Sequence, residues 1–389
     1  MKYPLASNSW SDEEVHAIQD VIQSDMYTMG SKVEKFEKEF AQEMGVQHAV
    51  MVNSGSSANL LMLTAAKIQY KWENCNVIVP AVGWSTTYSP VHQIGAKLNF
   101  VDVCLSTMNI DPMAVKMAIN PYTKAILAVN LLGNPADLDS LRQIADEHGL
   151  ALLEDNCESF GATVDGQFTG TMGDMGTYSF FFSHHLQTME GGMIVTDDDR
   201  LANILKSLRA HGWIRDMTDV NEWYNKKGDP FKEPFIFTLP GYSVRPLEMS
   251  GAIGSVQLKK WKKNVGQRQS NARLFKELFD PKEWCQLQSV LPGHKSSWYG
   301  FAMLTNDRDN FVSHLMQQGV QLRPIMTGNF LNQPVMKFYK DAIIPSDGCP
   351  IAEMLDKRGF FIGNHPHNIT EDLIELHDLM VTIKEATTL

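Results

Sequence analysis

The 389-residue chain has few cysteines and no two close together; they stand at 75, 104, 157, 285 and 349. Without a CxxC or CxC spacing there is no ligand set for a structural zinc or an iron–sulfur cluster. Scattered thiols in a chain of this size read as reduced, and so as a cytoplasmic protein. Long apolar runs are missing too. None reaches the roughly 18 residues that suggest a membrane span, and the opening MKYPLASNSWSDEE lacks the apolar stretch of a secretory signal. Positive charge is scarce: 34 Lys and Arg face 45 Asp and Glu, a formal net charge of −11. That excludes a general nucleic-acid binder, which neutralises phosphates with clustered cations. It leaves room for an anionic small molecule held by a few local ones. Repeats and low-complexity segments are absent.

What is there is an alternation. Ser11 and Glu14 form a capping box ahead of a helix whose Val15, Ile18 and Ile22 share a face, and Ser31 and Glu34 repeat the signal for a helix ending at Gly45. Short apolar runs follow at 48–52, 76–80, 97–101, 124–129, 150–154, 175–180 and 192–196. Helical stretches lie at 56–68, 85–93, 111–119, 136–147 and 197–210. Seven strands with helices between them predict an α/β fold: a large, mostly parallel sheet covered on both faces, with ligands at the carboxyl ends of its strands. A polar, aromatic loop is expected over 214–236, then two helices at about 246–259 and 266–280. The length exceeds one ordinary domain, and the pattern shortens after LPGHKSSWYGF. The expected division is a large domain over 1–282 and a smaller C-terminal α/β domain over 283–389.

Five segments at strand ends or helix starts carry chemistry. In NSGSSANL (53–60) a strand gives way to a helix, whose free N–H groups suit a phosphate or serve only a capped helix. In AVGWSTTYSP (81–90) Trp84 follows a strand and can stack on a flat ring or pack locally. In LLEDNCESFGA (152–162) Asp155 closes an apolar strand, with Glu158 near. A carboxylate there either caps a turn or holds a pyridine nitrogen protonated, which makes the ring an electron sink. In SFFFSHHLQTMEGG (179–192) Ser183 can reach a phosphate, and His184 and His185 fill a loop that has no lysine. GYSVRPLEMSGAIG (241–254) places Arg245 before a helix.

Together these segments resemble the sugar aminotransferases of the aspartate aminotransferase fold, fold-type I enzymes that use pyridoxal 5′-phosphate (PLP). The resemblance implies that Ser56 and Ser57 give amides to the cofactor phosphate and that Ser183 binds it as well. Trp84 would stack on the ring, Asp155 would bind its nitrogen, and Glu158 would stand near the ring hydroxyl. It also implies an obligate homodimer in which GYN comes from the neighbouring subunit; here Gly241-Tyr242-Ser243 puts Ser243 in the place of the asparagine. The largest departure is His185, read onto the position of the cofactor lysine. Imidazole forms no stable Schiff base but moves protons at neutral pH. A lysine-less branch of the family, the sugar 3-dehydratases, has this change. YPLAS, YTMG, WSTTY, NLLGNP, LLEDNCES, RAHGW, RPIMTGNF and GNHP extend that likeness over nearly the whole chain. The branch that takes electrons through an iron–sulfur cluster is set aside for want of cysteines.

The implied reaction removes the C3 hydroxyl of a nucleotide-linked 4-keto-6-deoxy sugar, GDP-4-keto-6-deoxy-D-mannose being the expected substrate. Pyridoxamine 5′-phosphate (PMP) is held without a covalent tether, and L-glutamate regenerates it. His185 is the expected base, and His184 orients it or faces substrate. Arg245 and Arg323 either bind anionic groups of the substrates or form surface ion pairs. Two rival readings remain: an aminotransferase making an amino sugar for lipopolysaccharide, an amino-octulosonic acid included, and a non-catalytic PMP-binding domain.

Overall fold

The computed structural model describes residues 2–280 and 282–388. Two helices open the chain, α1 (Asp12–Gln23) and α2 (Ser31–Met44). Strands and helices then alternate: β1 (His48–Val52), α3 (Gly55–Tyr70), β2 (Asn76–Pro80), α4 (Ser85–Gln93), β3 (Lys97–Val101), α5 (Pro112–Ala118), β4 (Thr123–Val129), α6 (Leu138–His148) and β5 (Ala151–Asp155). A short hairpin, β6 (Thr163–Val164) and β7 (Gln167–Phe168), precedes β8 (Met175–Ser179), β9 (Gly192–Thr196), α7 (Asp199–Arg209) and the long α8 (Glu248–Phe279). The remainder holds β10 (Gln286–Leu287), β11 (His294–Lys295), β12 (Gly300–Leu304), α9 (Arg308–Gln317), β13 (Leu322–Arg323), α10 (Pro350–Arg358), β14 (Gly359–Gly363) and α11 (Thr370–Thr388).

The large sheet has the order β1-β9-β8-β5-β4-β2-β3. β9 pairs antiparallel with both its neighbours, and the other six strands share one direction. Alternation along the strands explains why both faces are covered. Val77 and Val79 pack with Leu61 and Leu205 on one face. Ile78, Ile126 and Leu152 pack with Leu141 and Ile144 on the other. At the β1–β9 edge, Met51 and Met193 meet Phe36 and Phe40 of α2. A four-stranded sheet, β10-β12-β14-β13, builds a second core in which Phe275, Phe279, Phe301 and Ile362 pack together. Tyr3 belongs to that core, and its hydroxyl donates to the Gly363 carbonyl at 2.8 Å. No described helix is long and apolar enough to cross a membrane.

Three local expectations change. The two helices expected over 246–280 are one, α8, of 32 residues. Trp261, Val265, Arg268, Ala272 and Phe275 are buried along one continuous face that runs through the expected break. Ser31 does not cap α2. Its N-cap is Gly30, with no side-chain cap of its own. The buried Glu248 carboxylate instead accepts the N–H groups of Gly30 (2.6 Å), Lys32 (2.5 Å) and Val33 (3.3 Å). The Ser11–Glu14 box is present at the start of α1, but the face of Val15 and Ile22 points outward, 44% and 50% exposed, and α1 buries Glu14 and Val21 instead. Glu14 is held there by Gln257 and Lys260 of α8.

Candidate active site

The six co-directional strands deliver their carboxyl ends to one edge of the sheet, and a cavity of about 250 Å³ opens there. Each wall comes from a strand end. β1 runs into Ser54, the N-cap of α3, and Trp84 is the N-cap of α4. β5 ends in Asp155, and β8 ends in Ser179 and feeds the loop carrying Ser183 and His184. Glu158 and Arg323 complete the lining that the sequence singled out. No lysine is among the lining residues.

Asp155 sits at the floor, 6% exposed. Its Oδ2 accepts from Asn59 Nδ2 at 2.8 Å and from Thr87 Oγ1 at 2.7 Å, and its Oδ1 takes a longer bond from the Cys157 N–H at 3.3 Å. Thr177 Oγ1 donates to Asn59 Oδ1 at 2.6 Å, which fixes the amide that holds the carboxylate. A buried carboxylate oriented in this way suits a cationic ring nitrogen. The Glu158 carboxyl beside it is pushed up to about 8, by burial first and then by the Asp155 charge, although the Leu132 N–H donates to it at 3.0 Å.

At the start of α3, the N–H groups of Gly55 and Ser56 find no hydrogen-bond partner among the described residues. A Cβ on Gly55 would stand 2.6 Å from the Ser179 Cβ and 2.9 Å from the Cys157 Sγ, so only glycine lets the helix begin this close to the strand end. Free amides and the positive end of a helix macrodipole attract an anion such as a phosphate. The Ser57 amide, expected to join them, is already bonded to Ser54 Oγ at 3.1 Å, and Ser57 is not among the lining residues. Ser56 Oγ bonds Thr86 Oγ1 at 2.8 Å. The residues present therefore fit a phosphate at one end of the cavity and a protonated heteroaromatic nitrogen at the other. Trp84, 49% exposed, lines the cavity with them.

The two histidines part company. His184 lines the cavity, and its Nδ1 is buried without a partner among the described residues. His185 does not line it: the ring is 3% exposed, and Nε2 lies 3.2 Å from the Ser297 carbonyl oxygen. This reverses the order expected from sequence. The turn closed by the His184 N–H on the Phe181 carbonyl delivers the first histidine to the open side, and the second packs behind it. Burial, then the Arg268 charge, hold the His184 imidazole down to about 3 and His185 well below its ordinary range. Ser183 Oγ lies 3.0 Å from the hydroxyl of Tyr299.

Ser243 and Arg245 do not reach this cavity in their own chain. Ser243 is exposed and bridges Ala210, and Arg245 lies over the Trp213 ring at 5.7 Å. Four functional neighbours were missed. Asn59 and Thr87 lay inside segments quoted for other residues, and their role needs the sheet to bring them to Asp155. Tyr299 and Arg268 are far from the loop in sequence and carry no local signal.

Known proteins are similar to this chain in sequence and in fold. The GDP-4-keto-6-deoxy-D-mannose 3-dehydratase of Yersinia pseudotuberculosis is 47% identical over 391 residues, 98% of this chain and 98% of that protein. A solved GDP-4-keto-6-deoxymannose-3-dehydratase with a trapped PLP-glutamate geminal diamine superposes with a TM-score of 0.93 at 45% identity, covering 97% of this chain and 100% of that one. A ColD variant whose consecutive serine and histidine are replaced by asparagine and lysine gives 0.92 at 44%, over 96% and 100%. The model of the DegT/DnrJ/EryC1/StrS aminotransferase family matches residues 8–380. With that match running through the helix starts, the Asp155 strand and the histidine loop alike, the chain belongs to this family.

Proposed function

We propose that this protein is a PMP-dependent 3-dehydratase that removes the C3 hydroxyl of GDP-4-keto-6-deoxy-D-mannose, with L-glutamate as amino donor. The carrying observation is the cavity wall without a lysine, where His184 stands instead. The ColD variant supports the same register, because its consecutive serine and histidine correspond in type to Ser183 and His184. The role given to His185 from sequence therefore passes to His184.

Bound PMP supplies an amine for the C4 ketone and a ring that accepts the electrons released during elimination. Asp155 keeps the ring nitrogen protonated, and Asn59 and Thr87 keep Asp155 aimed. The free amides of Gly55 and Ser56, with the Ser183 hydroxyl, hold the phosphate. Trp84 covers the ring. Neutral His184 would take the proton from the carbon bearing the cofactor amine, because an unprotonated imidazole is the form able to accept one. An anion bound in the cavity raises its basicity by giving the imidazolium a partner. Glu158, its carboxyl pushed up to about 8 by burial, would stand near the ring hydroxyl. Arg323 at the mouth is placed for an anionic group of the substrate. The net change balances without a further reductant: the sugar loses one oxygen, and glutamate becomes 2-oxoglutarate and ammonia.

The protein acts as a homodimer. Val15, Ile22, Met26, Tyr27 and Leu247 are 44–56% exposed. Tyr27 and Leu247 lie together, since the Glu248 N–H bonds the Tyr27 carbonyl. An apolar surface of this kind fits a second copy of the chain, which would bring its Ser243 and Arg245 to the neighbouring cavity.

The test is mass spectrometry of the sugar after incubation with PLP, L-glutamate and GDP-4-keto-6-deoxymannose. A product lighter by one oxygen, with ammonia released, is expected. A product carrying a new amine would establish the aminotransferase reading instead.

A further inference from the structure

We infer that Tyr299, from the C-terminal part of the chain, is the positioning residue of this active site: its ring orients His184 and its hydroxyl orients Ser183. The inference rests on the assignment of His184 as the proton carrier. The Tyr299 and His184 rings have centroids 5.3 Å apart with 33° between their planes. The Tyr299 hydroxyl lies 3.0 Å from Ser183 Oγ. One side chain thus touches both consecutive residues of the loop, one through a face and the other through an oxygen.

Tyr299 is itself held on every side. Its N–H donates to the Leu132 carbonyl at 3.0 Å, next to the Ser297 N–H on Gly133 at 2.9 Å. That approach is so close that a Cβ on Gly133 would stand 2.5 Å from the Trp298 nitrogen and 2.7 Å from the Tyr299 nitrogen. Its carbonyl accepts from Arg268 at 3.2 Å, and the same guanidinium bonds the Asn364 carbonyl. Asn364 in turn donates to the Trp298 carbonyl at 2.9 Å and the Arg268 carbonyl at 3.0 Å. α8, β14 and the strand-entry residues 297–299 therefore fix the backbone from which the ring projects.

A lysine tethered to its cofactor has its position set by the covalent bond. A histidine has no such tether, and here its Nδ1 has no hydrogen-bond partner among the described residues either. Packing against a fixed ring is what remains to set its rotamer. The phenol, pushed up to about 12 by burial, keeps its proton at neutral pH. Either hydroxyl can donate in this pair; with the phenol as donor, the serine proton is free for an anion in the cavity.

Two measurements separate the two roles. The first is PMP affinity of the cofactor-free protein by equilibrium titration. Tyr299→Phe and Ser183→Ala should each weaken PMP by about fivefold, the worth of one neutral hydrogen bond, and the double variant should lose no more than either alone. Losses that multiply would overturn the hydroxyl's role. The second is single-turnover conversion of the PLP form by L-glutamate, followed by absorbance. Tyr299→Leu should slow it by about a hundredfold, as a misplaced reacting group does, with glutamate binding retained. Tyr299→Phe should stay within about threefold. Equal slowing in both, or none in Tyr299→Leu, would overturn the ring's role. Neither measurement uses the sugar, so a wrong substrate assignment would show separately as an unchanged sugar with wild type. If Tyr299→Leu fails to fold, Tyr299→Met takes its place in the second measurement with the same two outcomes, and the Phe–Ala cycle decides the hydroxyl's role independently.

Discussion

His184 and His185 are adjacent in sequence, and the structure puts them in different places, so replacing each with asparagine tests the site directly. His184→Asn removes a ring that lines the cavity. A positioned proton carrier contributes about 10²–10⁴ in rate, so dehydration should fall by about a thousandfold. His185→Asn removes a ring that is 3% exposed and bonded through Nε2 to the Ser297 carbonyl. Its cost should be structural: about 1 kcal/mol for the bond, plus some packing, with turnover kept within about tenfold. Acid stability adds a second reading. The folded protein holds His184 at about 3 against an ordinary 6.5, so between those values only the unfolded chain binds its proton. Stability contributed by keeping it neutral is therefore present above 6.5 and lost as pH falls toward 3. His184→Asn should flatten part of that loss, and His185→Asn another part in the same direction. The assays are product formation by mass spectrometry at saturating PMP, and thermal midpoints between pH 7 and pH 4. A severe loss of turnover in His185→Asn, with His184→Asn nearly as fast as wild type, would refute the assignment and restore the order expected from sequence.

Two further outcomes follow from the packing. Glu248→Ala removes the acceptor of three N–H groups at the start of α2. Chemical denaturation should show a loss of about 2–4 kcal/mol, with Glu248→Gln in between; an unchanged midpoint would mean that water caps the helix equally well. An aspartate at Val15 and Ile22 together should dissociate the dimer in sedimentation and abolish turnover. A variant that stays dimeric and active would place the interface elsewhere.

The large sheet was legible because each strand is a short apolar run ending in a polar or small residue, and because caps and αL glycines such as Gly45 mark helix ends. Asp155, Trp84 and Ser183 were legible for the same reason: they sit where such a run stops. The long-range contacts were not. Nothing near Gly30 says that Glu248 will cap α2, and nothing in a Lys-rich stretch says that Trp261 and Val265 keep one helix whole. The face of Val15 and Ile22 has correct periodicity, but periodicity does not say what covers it. The one-residue choice between His184 and His185 lies in a loop, where no period of 2 or 3.6 orients a side chain. Tyr299 stands 116 positions from Ser183 and becomes its neighbour only through the fold.

α8 has a mechanical consequence. At 32 residues and about 1.5 Å each it is a beam of roughly 48 Å. Near one end it clamps α2 through Glu248; farther along, Arg268 grips the backbone that carries Tyr299, and the far end is buried in the second core. Flexing a beam in its middle breaks its own hydrogen-bond ladder. The two sheets it joins are thus poorly suited to open and shut like jaws, and admitting a bulky nucleotide sugar falls to the rim, where Arg323 closes the two-residue β13 and Met326 follows it. With the backbone behind the site braced in this way, molecules as different in size as an amino acid and a nucleotide sugar would be accommodated at the rim.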